Sequence, residues 1–292
     1  MILKPNIHRL VLELFNSKKW SYDSLNGDVN YFDQYCEMLK PYNEEEQKLI
    51  IELSKQFVHI PPEMYSQEVY ELITKFANRY KVFKKVKVMP IINNSDDELR
   101  KVKSSNFVSY LMKNKEYSIA QNTKHLQFDI VTDLKTLGKK FNASHDKSLV
   151  LVDDFIGSGE TAIECIERIM MTPFYTDKNN QESFINKDKV IILTIAISEE
   201  GYNKISGLGY DIIYNHMISK GITEFYSETE RASKLRIMEG IESKLNLKDV
   251  DKFGRLKSEA LISLIRTPNN TFPVFWKKSK VNKPVYPRRS GS

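Results

Sequence analysis

Two adjacent aspartates, Asp153 and Asp154, follow the apolar run Ser148–Val152 and precede a short loop of small residues. A continuous apolar run predicts a buried parallel strand, and carboxylates at its end can accept hydrogen bonds from a vicinal diol. The loop residues are Gly157, Ser158, Gly159, Glu160 and Thr161. Their N–H groups would lie at the positive end of the helix that follows, where phosphate binds. Diol and phosphate together predict a site for a ribose 5-phosphate.

Other nucleotide and metal sites share parts of this pattern. Strand, acidic pair and loop also occur in other doubly wound proteins, where the acidic residues bind metal or cap a helix. The Walker motif is absent from this segment, and Gly157-Ser158-Gly159 does not continue to a third glycine because Ala162 takes that position. The pattern therefore favours the ribose-phosphate interpretation over these alternatives.

A second candidate anion site is the tripeptide Lys103-Ser104-Ser105, at the predicted start of a helix. Two hydroxyls and free backbone amides beside lysines can bind a pyrophosphate group. An ordinary serine N-cap with solvated lysines explains the same residues. The sequence leaves both interpretations open.

The strand, acidic pair and loop resemble the signature of type I phosphoribosyltransferases. The resemblance implies that Asp153 and Asp154 take the ribose hydroxyls and stabilise the reacting centre, and that the Gly157–Thr161 loop binds the 5-phosphate. Ser158 stands where threonine is more usual and keeps the hydroxyl. Glu160 departs from the pattern, and its carboxylate is compatible with phosphate only if it points into solvent. A ligand with two phosphate groups, such as 5-phosphoribosyl pyrophosphate (PRPP), also predicts Mg²⁺ as a counter-cation.

The segment Thr267–Trp276 carries the second distinctive pattern, Thr-Pro-Asn-Asn-Thr-Phe-Pro-Val-Phe-Trp. Asn269 and Asn270 could read the edge of a base or hold a turn through side-chain hydrogen bonds. Trp276 could stack on a base or fill a core. Structural roles are favoured for all three residues.

Both motifs in one chain resemble the divergent phosphoribosyltransferase-like proteins of bacterial conflict systems, including the effectors encoded beside some retron reverse transcriptases. The resemblance covers about residues 82–276. It implies an effector or toxin of antiphage defence, held in check by a reverse transcriptase and its nucleic acid.

The sequence thus predicts a phosphoribosyltransferase-like protein that binds PRPP or a ribose phosphate and acts at ribose C1 of a nucleotide, base or nucleic acid. The alternative is a non-catalytic module with the same fold that senses a ligand or associates with nucleic acid. The acceptor and the presence of catalysis stay open.

Composition fits a globular protein with an anionic ligand: the 292 residues are 41% hydrophobic and 28% charged, with a formal net charge of +6. No apolar stretch reaches the length of a membrane span, and the first residues lack a signal-peptide core, so a cytoplasmic protein without a membrane partner is predicted. Cys36 and Cys165 offer neither a disulfide framework nor a metal site. The histidines show no metal-ligand spacing; they are His8, His59, His125, His145 and His216.

Three regions are predicted along the chain. Residues 1–81 show helical apolar spacing, residues 82–276 alternate strands with helices, and residues 277–292 form a basic tail. The apolar runs 148–152 and 190–197 predict two strands buried on both faces. The expected architecture is an α/β parallel-sheet, phosphoribosyltransferase-like (Rossmann-like) core with a helical N-terminal region and a C-terminal addition.

Overall fold

The computed structural model describes residues 3–22, 30–93, 103–114, 123–132, 134, 137, 147–175 and 182–288. The chain forms two compact units, one made of Met1–Pro61 with Ile218–Ser292 and the other of Pro62–Met217. Each unit groups residues that are close in space, and one unit combines two separate parts of the chain. The predicted regions are continuous in sequence, with boundaries at 81/82 and 276/277, and these boundaries stay a prediction.

The helices of the described residues are α1 (Pro5–Lys18), α2 (Tyr31–Leu39), α3 (Glu44–Ser54), α4 (Tyr65–Arg79), α5 (Ser104–Leu111), α6 (Glu160–Met170), α7 (Glu199–Gly207) and α8 (Glu228–Ser243). The strands of those residues are β1 (Val58–His59), β2 (Lys85–Pro90), β3 (Gln127–Ile130), β4 (Lys147–Ile156), β5 (Phe174–Tyr175), β6 (Glu182–Ser183), β7 (Val190–Ser198), β8 (Asp211–Ile218) and β9 (Ile262–Ser263). Single turns of 3-10 helix lie at Pro62–Met64, Lys187–Lys189, Asp249–Asp251, Arg255–Lys257 and Pro273–Phe275.

A five-stranded parallel sheet in the order β3-β2-β4-β7-β8 forms the centre of the 62–217 unit. Most residues of its neighbouring strands β4 and β7 are buried, which is typical of parallel strands covered on both faces. Side chains of β4 and β7 pack on α6 and α7 in one core, including Leu149, Leu151 and Ile192 against Cys165 and Ile205. Helices α4 and α5 lie against β7 and β4. The predicted α/β class with a parallel sheet is confirmed.

Helices α1, α2, α3 and α8 build the core of the other unit, together with apolar residues of its C-terminal part. Phe15 is at its centre, with edge-to-face contacts to Phe32 and Tyr35. Helix α3 begins at a capping box, in which Asn43 accepts from the backbone of Glu46 and the Glu46 side chain accepts from the backbone of Asn43. The short strands β1 and β9 pair in parallel within this unit.

Candidate functional site

Strand β4 continues through the two aspartates instead of ending at Val152. Its pairing with β7 extends to Phe155 opposite Ala196 and Ile156 opposite Ile197. A strand predicted from the apolar run alone is therefore too short. The backbone hydrogen bonds between β4 and β7 continue past Val152, where the side chains become polar. Since neighbouring side chains of a strand project to opposite faces, Asp153 and Asp154 have different surroundings.

Asp154 is a buried carboxylate held by two hydroxyl donors. It is 5% exposed, and the Tyr65 hydroxyl donates to its Oδ2 atom at 3.0 Å. The Ser104 hydroxyl donates to Oδ1 at 2.7 Å. Helices α4 and α5 thus each give one donor, and the carboxylate is fixed in a single orientation.

Asp153 is half-buried and lies on the side of the sheet that α6 covers. The backbone N–H of Asp154 donates to its Oδ1 atom at 2.9 Å. Burial, followed by the neighbouring charge of Asp154, raises the pKa of Asp153 well above the ordinary aspartate value. Its charge also adds to the effect of burial in raising the pKa of the Cys165 thiol on α6. A cation or a hydrogen-bond donor at Asp153 would favour its ionised form.

The Gly157–Thr161 loop connects the end of β4 to the beginning of α6. Gly159 precedes the helix with φ of 80°, a left-handed conformation that a residue with a Cβ adopts at a cost. The first N–H groups of a helix have no acceptor within that helix, and those of α6 follow Gly159 directly. Glu160 is exposed, which meets the condition that its carboxylate points into solvent.

The beginning of α7 supports this loop from the neighbouring strand. The Ser198 hydroxyl donates to the carbonyl oxygen of Gly157 at 2.6 Å and accepts from the N–H of Gly201 at 3.0 Å. A Cβ at Gly201 would lie 2.4 Å from the Gly157 oxygen, so the two segments meet through their backbones. The segments that follow the carboxyl ends of β4 and β7 are therefore in direct contact with each other.

The structure gives the Lys103-Ser104-Ser105 tripeptide a partly structural role. Helix α5 begins at Ser104 as predicted, and the backbone N–H of Lys103 donates to the Asn106 side chain at 2.8 Å. The Ser104 hydroxyl contacts Asp154, whereas that of Ser105 is buried and donates to the carbonyl oxygen of Ile91 at 3.1 Å. The tripeptide thus lies beside the aspartates, with both hydroxyls in hydrogen bonds to the protein.

Tyr65 is absent from the sequence prediction. It belongs to the helical region 1–81, and nothing in its spacing indicates a contact with Asp154. Ser198–Gly201 does carry a signal, because this segment follows the apolar run 190–197 and ligands of parallel sheets lie at the carboxyl ends of the strands. Ser198 is also a residue type typical of a helix N-cap.

Thr267–Trp276 has structural contacts within its own unit. The Thr271 hydroxyl donates to the carbonyl oxygen of Ile262 at 2.6 Å, and the indole N–H of Trp276 donates to the carbonyl oxygen of Thr271 at 2.7 Å. The backbone carbonyl of Asn270 accepts from the Ser258 hydroxyl at 2.7 Å. These contacts favour the structural interpretation of the motif.

The fold and this site define a parallel-sheet α/β protein in which a strand–loop–helix turn follows two adjacent aspartates. The family model PRTase-CE matches residues 32–288, and the chain belongs to this phosphoribosyltransferase-like family. No curated protein gives a significant match.

Solved phosphoribosyltransferases show weak structural similarity to the chain. One is a hypoxanthine-guanine phosphoribosyltransferase from Schistosoma mansoni in complex with IMP, with 12% identity, a TM-score of 0.31, and coverage of 55% of this chain and 65% of that chain. Another is a hypoxanthine-guanine-xanthine phosphoribosyltransferase, with 13% identity, a TM-score of 0.28, and coverage of 54% and 75%. A purine phosphoribosyltransferase from Pyrococcus horikoshii Ot3 has 11% identity, a TM-score of 0.26, and coverage of 56% and 86%. Similarities this weak say nothing about ligand or reaction.

Across the described ranges, no helix is long and apolar enough to cross a membrane. The same residues contain no group of three or more histidine, cysteine, aspartate or glutamate side chains placed to hold a metal ion.

Proposed function

We propose that the protein binds PRPP or a related ribose phosphate and acts at ribose C1. The observation that carries the proposal is the Gly157–Thr161 loop, which is fixed at the helix start of α6 directly after the buried Asp154 carboxylate. Family membership supports the same class of ligand.

In this proposal the 5-phosphate binds the backbone N–H groups of the Gly157–Thr161 loop and the hydroxyls of Ser158 and Thr161. The ribose hydroxyls donate to the aspartates. Each Asp154 oxygen accepts one hydroxyl in the protein and retains capacity for another donor. Asp153 approaches from the other face of the sheet, so the two carboxylates enclose the ribose instead of acting as one parallel pair.

Mg²⁺ fits these residues as an ion that arrives with the substrate. In protein sites the ion is commonly bound by one or two carboxylates together with substrate phosphates. Asp153 and Asp154 supply two carboxylates, and the described residues hold no third acidic or histidine ligand beside them. When bound, the ion would neutralise charge on the departing diphosphate.

At C1, the proposed reaction passes through an oxocarbenium-like centre that Asp153 and Asp154 stabilise, with positioning and electrostatics supplying most of the acceleration. Lys103, with the N–H groups at the beginning of α5, is proposed to receive the pyrophosphate. Ser104 contributes by holding Asp154, and Ser105 by fixing the start of the helix to β2.

Isothermal titration of PRPP with Mg²⁺ tests the binding step. Asp154→Asn and Asp153→Asn should each weaken binding by about 10- to 100-fold, since a hydrogen bond to a charged group contributes roughly 1.5–3 kcal/mol. Asp188→Asn is the matched control, because Asp188 is exposed and its side chain lies outside this site. Equal affinity for all three variants and the wild type would reject the role of the aspartates.

Turnover is tested separately, by incubating the protein with labelled PRPP and a pool of nucleotides and following release of diphosphate. Release would establish transfer or cleavage at C1. Binding without release, together with salt-dependent association with DNA or RNA, would instead support the non-catalytic module.

The biological setting that we propose is an effector or toxin of antiphage defence, controlled by a reverse transcriptase bound to its own nucleic acid, in the cytoplasm. It is supported by the resemblance of the two sequence motifs to retron-associated effectors. The gene neighbourhood, with expression of the chain alone and with its neighbours, tests it. A solitary gene whose product is harmless when overexpressed would contradict this setting and leave the proposed chemistry intact.

A further inference from the structure

A second polar cluster lies beside the aspartates, around His216 near the end of β8. The Nε2 atom of His216 lies 3.0 and 3.1 Å from the two carboxylate oxygens of Glu68 on α4. The Asn215 side chain also donates to Glu68, at 2.6 Å, and its own oxygen accepts from Lys75 at 2.7 Å. The Glu68 side chain is 8% exposed and that of His216 is 34% exposed.

The course of α4 places this cluster level with Asp154. Arg79, at the end of the helix, contacts Asp211 at the start of β8, whereas Glu68 near the beginning contacts His216 near the end of the strand. Helix α4 therefore runs antiparallel to β8, and Tyr65 of its first turn reaches Asp154 near the end of β4. From Tyr65 to Glu68 the helix advances only about 4.5 Å.

The His216 ring and the Asp154 carboxylate consequently lie at the same edge of the sheet, both against α4. Strand β7 lies between their strands, so the two groups are separated by two strand spacings, roughly 10 Å. A ribose that binds Asp154 would extend its C1 substituent over a comparable distance.

Hydrogen bonding to Glu68 determines which ring nitrogen of His216 carries the hydrogen. An ionised carboxylate only accepts, so Nε2 carries the hydrogen and Nδ1 has the free lone pair. Burial alone would raise the pKa of Glu68, but hydrogen bonds from His216 and Asn215 outweigh it and lower the pKa below the ordinary value. Nδ1 makes no hydrogen bond to any residue within the described ranges.

We propose that His216, oriented by Glu68, is the general base for the acceptor at ribose C1, an inference that rests on the proposed function. The bond from C1 to the diphosphate breaks, and its electron pair leaves with the diphosphate. A lone pair of the acceptor's N–H or O–H group forms the new bond to C1, and the acceptor's proton passes to Nδ1. The imidazolium formed is stabilised by the Glu68 carboxylate and releases the proton to solvent across its exposed edge.

No titratable side chain within the Gly157–Thr161 loop can serve instead, because Glu160 is the only such residue there and it is exposed. The competing account is that Glu68 and His216 merely join α4 to β8. That account predicts loss of stability on substitution, with no effect on proton transfer.

The test compares His216→Ala, His216→Gln and wild type, using labelled PRPP with Mg²⁺ and the nucleotide pool. Both variants should bind PRPP as the wild type does and release diphosphate at least about 100-fold more slowly, as a decrease in kcat with unchanged KM for PRPP. Added imidazole should restore part of the rate to His216→Ala, and not to His216→Gln, in which the site is filled. His125→Ala is the control, because His125 is exposed in the same unit and should have no effect.

Failures of the inference and of the proposed function give different results. Two results would overturn the role of His216 alone, provided that the wild type turns over. The first is undiminished turnover in both His216 variants. The second is an equal loss of turnover in both variants that imidazole does not reverse and that accompanies a lower unfolding midpoint. PRPP binding by the wild type without diphosphate release would overturn the C1 reaction and the base together. Absence of PRPP binding would overturn the proposed function itself.

Discussion

The backbone of Gly201 lies directly against the carbonyl group of Gly157, so closely that an added Cβ would lie 2.4 Å from the carbonyl oxygen. This contact joins the beginning of α7 to the Gly157–Thr161 loop. The obstacle is backbone, which cannot rotate away as a flexible side chain can. The position of the loop therefore depends on glycine at residue 201.

Gly201→Ala should displace the loop and weaken PRPP binding by at least about tenfold, with a loss of about 1–3 kcal/mol in the free energy of unfolding, typical of overpacking. Titration calorimetry and urea unfolding measure the two effects. Gly207→Ala, in the same helix with nothing within 4 Å, is the control and should be stabilising by up to about 1 kcal/mol. Equal behaviour of the two variants would show that the close contact does not constrain the loop.

Tyr65→Phe should loosen the buried Asp154 carboxylate, whose side chain would then keep the Ser104 hydroxyl as its donor among the described residues. Removing one donor from a buried charged group costs about 1–3 kcal/mol, and PRPP affinity should fall with the loss of orientation. Tyr110→Phe is the matched control, because that side chain is 70% exposed. Unchanged stability and affinity in Tyr65→Phe would mean that the hydroxyl contributes nothing to holding Asp154.

The sequence was sufficient to predict the strand–loop–helix unit around Asp153 because its signals are local. An apolar run predicts a buried strand, and glycines followed by a helical pattern predict the turn into α6. The end of β4 was beyond reach, since Phe155 and Ile156 belong to the strand only through their pairing with β7. Hydrogen bonding between two strands that are distant in sequence produces no periodic pattern of apolar residues, so a single sequence does not reveal where the pairing ends.

The partners of Asp154 show the same limit. The sequence predicts a helical region over residues 1–81, and within it the structure has α4 from Tyr65 to Arg79. Tyr65 and Asp154 are separated by 89 residues, and only the packing of α4 on the sheet brings them together. A helix period identifies the buried face of a helix, not the polar group that a buried tyrosine meets there.

Asp153→Asn should make the ligand-free protein more stable at neutral pH while it weakens PRPP binding. The folded-state pKa of Asp153 is raised, chiefly by burial and then by the charge of Asp154. The folded protein therefore holds this proton more tightly than the unfolded chain, and the free energy of unfolding falls as pH rises through the window between the ordinary and the raised pKa. Asp153→Asn should not show this fall in the free energy of unfolding, because asparagine does not titrate.

Urea unfolding of wild type and Asp153→Asn across pH measures the change in stability. Calorimetry with PRPP and Mg²⁺ measures the change in PRPP affinity. Asp188→Asn, at an exposed position, should follow the wild type in both. A variant less stable than wild type at neutral pH would mean that the charged form of Asp153 supports the empty fold, contrary to the direction of its pKa.

Glu242 of α8 provides a pH-sensitive position in the other compact unit. It is 3% exposed, and both carboxylate oxygens accept from the backbone N–H of Phe253, at 3.0 and 2.9 Å. Burial raises the pKa of Glu242 to about 7, although the Phe253 N–H and the Lys252 charge oppose it. The protonated form is thus the one that the folded protein favours.

The free energy of unfolding should therefore be highest below the ordinary glutamate pKa and fall as pH rises through the folded-state pKa, with little further change above it. A raised pKa of about 7 corresponds to a loss of about 3 kcal/mol from this residue, since one unit is about 1.4 kcal/mol. Glu242→Gln should abolish this decline, so that the variant gains stability relative to wild type between pH 5 and pH 8, whereas Glu228→Gln, exposed on the same helix, should not. Urea unfolding midpoints at the two pH values measure it. If the difference between Glu242→Gln and wild type were the same at pH 5 and pH 8, the carboxylate would titrate normally, and its burial would carry no pH-dependent cost.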